Sequence, residues 1–134
     1  MHRNLAIAVL AGFCLVGCNE TQPAQQTKIK VRSAEQDRLK QLDALNLAIG
    51  LKRAIYDAGY TCKRVTNAGF VAEWKNLDMW TAHCVYDNGS ARDWAIFAGP
   101  DGSAQVRDCK DVPGSGLPAC VITVKPKGSF TEVK

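Results

Sequence analysis

Between residues 33 and 58 apolar positions recur at helical spacing. Leu39, Leu42, Leu45, Ile49 and Tyr56 share one face; Leu47, Leu51 and Ile55 share a second, nearly opposite. Ser33 and Gln36 have the spacing of a capping box, in which each side chain satisfies an amide of the first turn. Glu35 and Asp37 suit the positive end of the helix dipole, and Gly59 is a natural stop. The pattern predicts one long helix over residues 33–58. Gly50 costs about 1 kcal/mol relative to alanine inside a helix. The two apolar faces are reconciled either by a bend at Gly50 or by a partner that covers one of them.

From Tyr60 the pattern becomes that of strands. Residues 60–66 (YTCKRVT) alternate, and residues 79–86 (MWTAHCVY) are aromatic and β-favouring. Asp87-Asn88-Gly89 signals a turn before residues 91–98 (ARDWAIFA). Gly99-Pro100-Asp101-Gly102 is a strong hairpin signal, after which residues 104–109 (AQVRDC) return. Residues 111–118 (DVPGSGLP) read as a loop and 119–124 (ACVITV) as a last short strand. Residues 70–75 are either a further strand or part of a connection. A helix followed by strands predicts an α+β domain: one long N-terminal helix packed on an antiparallel sheet of about four strands. Alternation sends Trp94 and Ile96 to one face of that sheet, and Ala95 and Phe97 to the other.

Residues 1–32 have neither pattern. Residues 5–16 are almost wholly apolar, about 12 in a row, which is too short for a membrane span of roughly 20. Arg3 before the run gives it the shape of a secretory signal. The run ends in Leu15-Val16-Gly17-Cys18. This resembles the lipobox of bacterial lipoproteins. The resemblance is confined to the signal and implies cleavage before Cys18, with acylation of that cysteine. Bacterial lipoproteins carry two or three acyl chains, enough for stable anchoring at about 0.8 kcal/mol per buried methylene. Asn19 stands where an aspartate would imply retention at the inner membrane. The resemblance therefore implies an outer-membrane lipoprotein facing the periplasm, with inner-membrane anchoring or secretion as alternatives. The expected organisation is a signal over residues 1–17, a lipid-anchored tether over 18–32, and a single domain over 33–134. A polar coil of that tether's length reaches about 20 Å.

Removal of the signal discards Cys14 and leaves Cys62, Cys84, Cys109 and Cys120 in an exported domain. An even number there reads as two disulfides. Sequential pairing, Cys62–Cys84 and Cys109–Cys120, closes the shortest loops. Metal binding is not expected, because structural zinc sites bring two ligands within two to four residues and no two of these cysteines are that close.

Net charge is +4, too mild for a nucleic-acid footprint, and no nucleic-acid partner is expected. No catalytic residue is assigned and no cofactor is expected. His83 is the one histidine after the signal, with Asp78 and Asp87 near it in sequence but nothing to position them. Ser115 lies between two glycines without the frame of a nucleophile elbow. The expected function is a non-catalytic binding or assembly module with an envelope protein as partner, joined to the membrane through its lipid. The alternative is an inhibitor of an envelope or foreign hydrolase. Trp74, in the irregular stretch before Lys75, is the ring expected to be exposed and able to anchor a partner. Leu117, in a loop pre-organised by a Cys109–Cys120 bridge, is the candidate contact for an inhibitor.

Overall fold

The computed structural model describes residues 31–130. The expected signal, the Cys18 anchor and the tether before Val31 lie outside the described residues.

The single helix expected over residues 33–58 is two helices, α1 (Ala34–Gln41) and α2 (Ala44–Asp57). The capping box forms: Gln36 N donates to Ser33 Oγ at 3.2 Å, and Ser33 N donates to Gln36 Oε1 at 3.2 Å. The break falls at Leu42 and Asp43, both extended, and not at Gly50. Two bonds cause it, one local and one from far along the chain. The Asp43 carboxylate accepts from Asn46 N at 2.8 Å and caps a fresh helix. Ala44 N donates outward, to Lys127 O at 2.8 Å, instead of back along a continuous helix. The break also divides the apolar face drawn from sequence. Leu39 and Leu42 pack against the core, whereas Leu45, Ile49 and Tyr56 remain exposed.

Four strands follow, β1 (Arg64–Trp74), β2 (Leu77–Val85), β3 (Ala91–Ala98) and β4 (Ala104–Asp108). They form an antiparallel meander in the order β1-β2-β3-β4. Residues 70–75 belong to the end of β1 and the turn after it; residues 60–63 precede the strand. Lys75 and Asn76 make the tight β1–β2 turn, Lys75 at φ 57° with its ammonium over the Trp74 ring. The strand expected at residues 119–124 is irregular and meets β1 in a single bridge, Val124 to Phe70, beside which Thr123 Oγ1 donates to Val71 O at 2.8 Å. The register of β1 shifts between Phe70 and Ala72, and a regular ladder cannot pass such a bulge. Gly69 permits the approach that does occur. A Cβ there would stand 2.5 Å from Ile122 Cγ2 and 2.7 Å from Val124 O.

Both faces of the sheet are covered. Leu47, Leu51 and Ile55 of α2 pack on Ala68, Trp80, Ala82, Trp94 and Ile96. Fully burying each of these three aliphatic chains contributes about 1.5–3 kcal/mol. On the opposite face, Val112 and the half-buried Leu117 and Cys120 cover Val71, Met79, Ala95 and Phe97. Disulfides join Cys62 to Cys84 and Cys109 to Cys120. The first ties the segment just before β1 to β2. The second closes the loop over the lower face.

The start of the domain is locked to the sheet by polar groups. Asp78, at the head of β2, is fully buried, and Arg32 grips it with two hydrogen bonds of 3.0 and 2.9 Å. That bond raises the Arg32 pKa above its ordinary value. Glu73 joins through Arg32 at 2.7 Å and Lys40 at 3.0 Å. Arg32, expected within the tether, is therefore bound to β1 and β2.

Candidate functional site

Helix α2 crosses the sheet, packing most closely on β1 and more sparsely on β2, β3 and β4. Gly50 and Ala54 leave the flank of α2 low, and a Cβ added at Gly50 would touch nothing within 4 Å. The result is an open groove of about 590 Å³ between the two helices and the β3–β4 hairpin. Its apolar lining comes from Leu39, Leu42, Leu51, Ala54, Ile96 and Ala98. Glu35, Arg38, Arg53 and Asp57 add two charges of each sign. Mostly apolar clefts of this size with a few polar groups are the usual form of a binding site. Beside it, the outer face of α2 exposes Leu45, Ile49 and Tyr56 at 47%, 58% and 48%.

Gln36 holds one wall of the groove in place. It is buried, and its Nε2 donates to Asn76 O at 3.0 Å and to Ala98 O at 3.1 Å. This fastens α1 to the β1–β2 turn and to the end of β3.

On the opposite face, His83 Nδ1 lies 2.6 Å from Asp93 Oδ1 across the β2–β3 ladder. Both side chains are partly exposed. Asp78 and Asp87, the acids near His83 in sequence, are elsewhere: Asp78 is with Arg32, and Asp87 is paired to Lys63 at 3.1 Å. Thr81, on the same face of β2, donates to Trp94 O at 3.0 Å. Among the described residues no group of three or more His, Cys, Asp or Glu is placed to hold a metal ion.

No family model, curated protein or solved structure matches this chain. The site is read from its own geometry. Trp74 is half-buried, edge-on to Phe97 with ring centroids 6.2 Å apart. Leu117 is half-buried against the lower core, while residues 113–116 of its loop are exposed. Neither lines the groove. Sequence reasoning missed the groove residues because they come from four separate elements. It missed Asp93 because the pairing of His83 with Asp93 depends on strand register.

Proposed function

We propose that this chain is a lipid-anchored cell-envelope protein whose domain acts as a small non-catalytic binding or assembly module in the periplasm. The apolar groove beside α2 carries the reading. It is open, it is lined by side chains fixed from both helices and the sheet, and it has a charge-balanced rim. The Leu15-Val16-Gly17-Cys18 sequence supports the anchor, and the two disulfides suit an oxidising compartment. The partner bound there is an envelope protein presenting an apolar segment.

The test combines labelling with site-directed photocrosslinking in intact cells. Radiolabelled palmitate should enter the wild-type chain and not Cys18→Ser, and only the acylated form should fractionate with the outer membrane. A photocrosslinker at Ala54 should give one discrete adduct, lost with Gly50→Glu, which adds a charged side chain where the groove is open, whereas a crosslinker at Asn88 should give none. An absence of label at Cys18 removes the anchor. Equal adducts at Ala54 and Asn88 remove the groove. The inhibitor alternative draws on the Cys109–Cys120 loop, and with Leu117 turned toward the core its contacts would come from residues 113–116.

A further inference from the structure

We propose that the outer edge of β4 pairs antiparallel with β4 of a second copy of this chain, joining two four-stranded sheets into one. Hydrogen-bond parity identifies the edge. Gly99 N donates to Ser103 O at 2.8 Å, which makes Gly99 and Ser103 a hydrogen-bonded pair of the β3–β4 hairpin. Such pairs alternate along an antiparallel ladder. Phe97–Gln105 and Ala95–Arg107 therefore exchange the next bonds. Ala104, Val106 and Asp108, opposite Ala98, Ile96 and Trp94, direct their N–H and C=O groups away from β3. Among the described residues no hydrogen bond reaches those outward groups.

A bare edge of this kind is a template for another strand, and monomeric proteins blunt it with a short strand, charged side chains, proline, a bulge or a covering segment. β4 is short and carries Arg107 and Asp108, but it has no proline or lysine, its register with β3 has no shift, and its first three residues, Ala104, Gln105 and Val106, are uncharged. The opposite edge of the sheet is treated differently: Thr123 and Val124 lie against Phe70 of β1.

The strand is self-complementary in one register: a second copy can pair with it along its whole length with its outward groups matched and no like charges opposed. Centring the two-fold pairing on Val106 engages all five residues. Val106 then faces the second copy's Val106, and Ala104 faces its Asp108, each pair exchanging two hydrogen bonds. Gln105 faces Arg107, so no like charges stand directly opposite. Sliding the pairing one way sets Arg107 against Arg107, which like-charge repulsion disfavours. Sliding it the other way leaves Arg107 and Asp108 beyond the end of the second strand. The balanced rim of the groove next to this edge adds no net charge between the copies.

The full chain in detergent is examined by sedimentation equilibrium across a range of concentrations, with the detergent contribution subtracted. The mass should move from one chain to two as concentration rises. Proline at position 106 removes an outward N–H and leaves the β3 ladder intact, so Val106→Pro should keep the native circular dichroism and remain a single chain. If Val106→Pro misfolds, Ala104→Pro decides, because proline is tolerated at the first residue of an edge strand. Mixing copies carrying Gln105→Cys with copies carrying Arg107→Cys should give a disulfide between chains. These residues would face each other at a Cα separation of about 4.5 Å. A single-chain mass at every concentration overturns the proposal. So does a dimer that survives in a folded proline variant, or a dimer without the mixed Gln105–Arg107 crosslink.

Discussion

Removing the Gln36 side chain tests the packing of α1 on the sheet. Three hydrogen bonds depend on it: Nε2 to Asn76 O, Nε2 to Ala98 O, and Oε1 from Ser33 N. At about 0.5–1.5 kcal/mol each, their loss in Gln36→Ala should cost about 2–4 kcal/mol. That is a large share of a domain stability of about 5–15 kcal/mol. The midpoint of thermal unfolding should fall by about 8–32 °C at roughly 4–8 °C per kcal/mol. Gln36→Glu separates the two roles. A glutamate at this position keeps the capping box, but its carboxylate has no proton to give Asn76 O and Ala98 O. Burial beside two carbonyls raises the pKa of that carboxyl above the unfolded value of about 4.3. The folded state then holds the proton more tightly, so stability falls as pH rises through the two values. The deficit relative to wild type should be larger at pH 7 than at lower pH, shrink as pH falls through the raised folded value toward about 4.3, and level off below it. Urea unfolding followed by circular dichroism, with both disulfides intact, measures each variant. If Gln36→Glu matches wild type at pH 7, the bonds to Asn76 and Ala98 contribute nothing and the reasoning fails.

Gly50→Ala should stabilise by about 0.5–1 kcal/mol in the same assay, since the added methyl meets no atom and the helix gains propensity; a loss would mean that α2 is bent there. Gly69→Ala should destabilise by about 1–3 kcal/mol, because its methyl would overlap Ile122 and Val124 O, and hydrogen exchange should rise first at Thr123 and Val124. Arg32→Met should cost about 3 kcal/mol or more, leaving the buried Asp78 carboxylate with only Lys40 at 3.7 Å. Asp78→Asn should cost less, as Arg32 is partly exposed and keeps Glu73 and Asp37; the reverse order in urea unfolding would refute this account. The Ser103 hydroxyl and amide hold the Asp101 carboxyl below its usual 3.8. Its stabilising contribution is present above pH 3.8 and lost as pH falls through the lower folded value. Amide exchange in the β3–β4 turn should therefore accelerate below that pH, and less so in Asp101→Asn.

The α+β class, the two disulfides, and β2, β3 and β4 were legible because alternation, turn residues and cysteine parity are local signals. Trp94 and Ile96 face α2, and Ala95 and Phe97 the lower layer, as period-two alternation requires. The helix break was not legible. Residues 42–46 (LDALN) sit inside a continuous helical pattern, and an aspartate there costs little. Its cap takes effect because the Lys127 carbonyl, 84 residues later, receives the Ala44 amide. The full length of β1 was hidden by two register shifts, Val65/Asn67 and Phe70/Ala72, which interrupt alternation. Its turn was hidden too, since Lys75 takes a positive φ with no glycine to announce it. The groove exists only where α1, α2 and the β3–β4 hairpin come together, and no single segment encodes that meeting.

The positions of lock and groove bear on how an anchored domain would present itself. Arg32 binds Asp78, and Asp78 stands opposite Ala98 in the β2–β3 ladder. Ala98, Gly99 and Ser103, at that same end of the sheet, line the groove. The described chain therefore joins the sheet beside one end of the groove. Were Arg32 free, a flexible tether could present any face of the domain to the membrane. With Arg32 held by Asp78 and Glu73, the point where the described chain enters the sheet is fixed, and the proposed tether from Cys18 would reach about 20 Å from it. An acylated Cys18 would then keep the β1–β2 turn and the near end of the groove toward the lipid. The free edge of β4 begins at Ala104, just past the hairpin at that same end. Anchoring would bring β4 edges of neighbouring copies to similar heights above the membrane, which is the arrangement strand pairing between them requires.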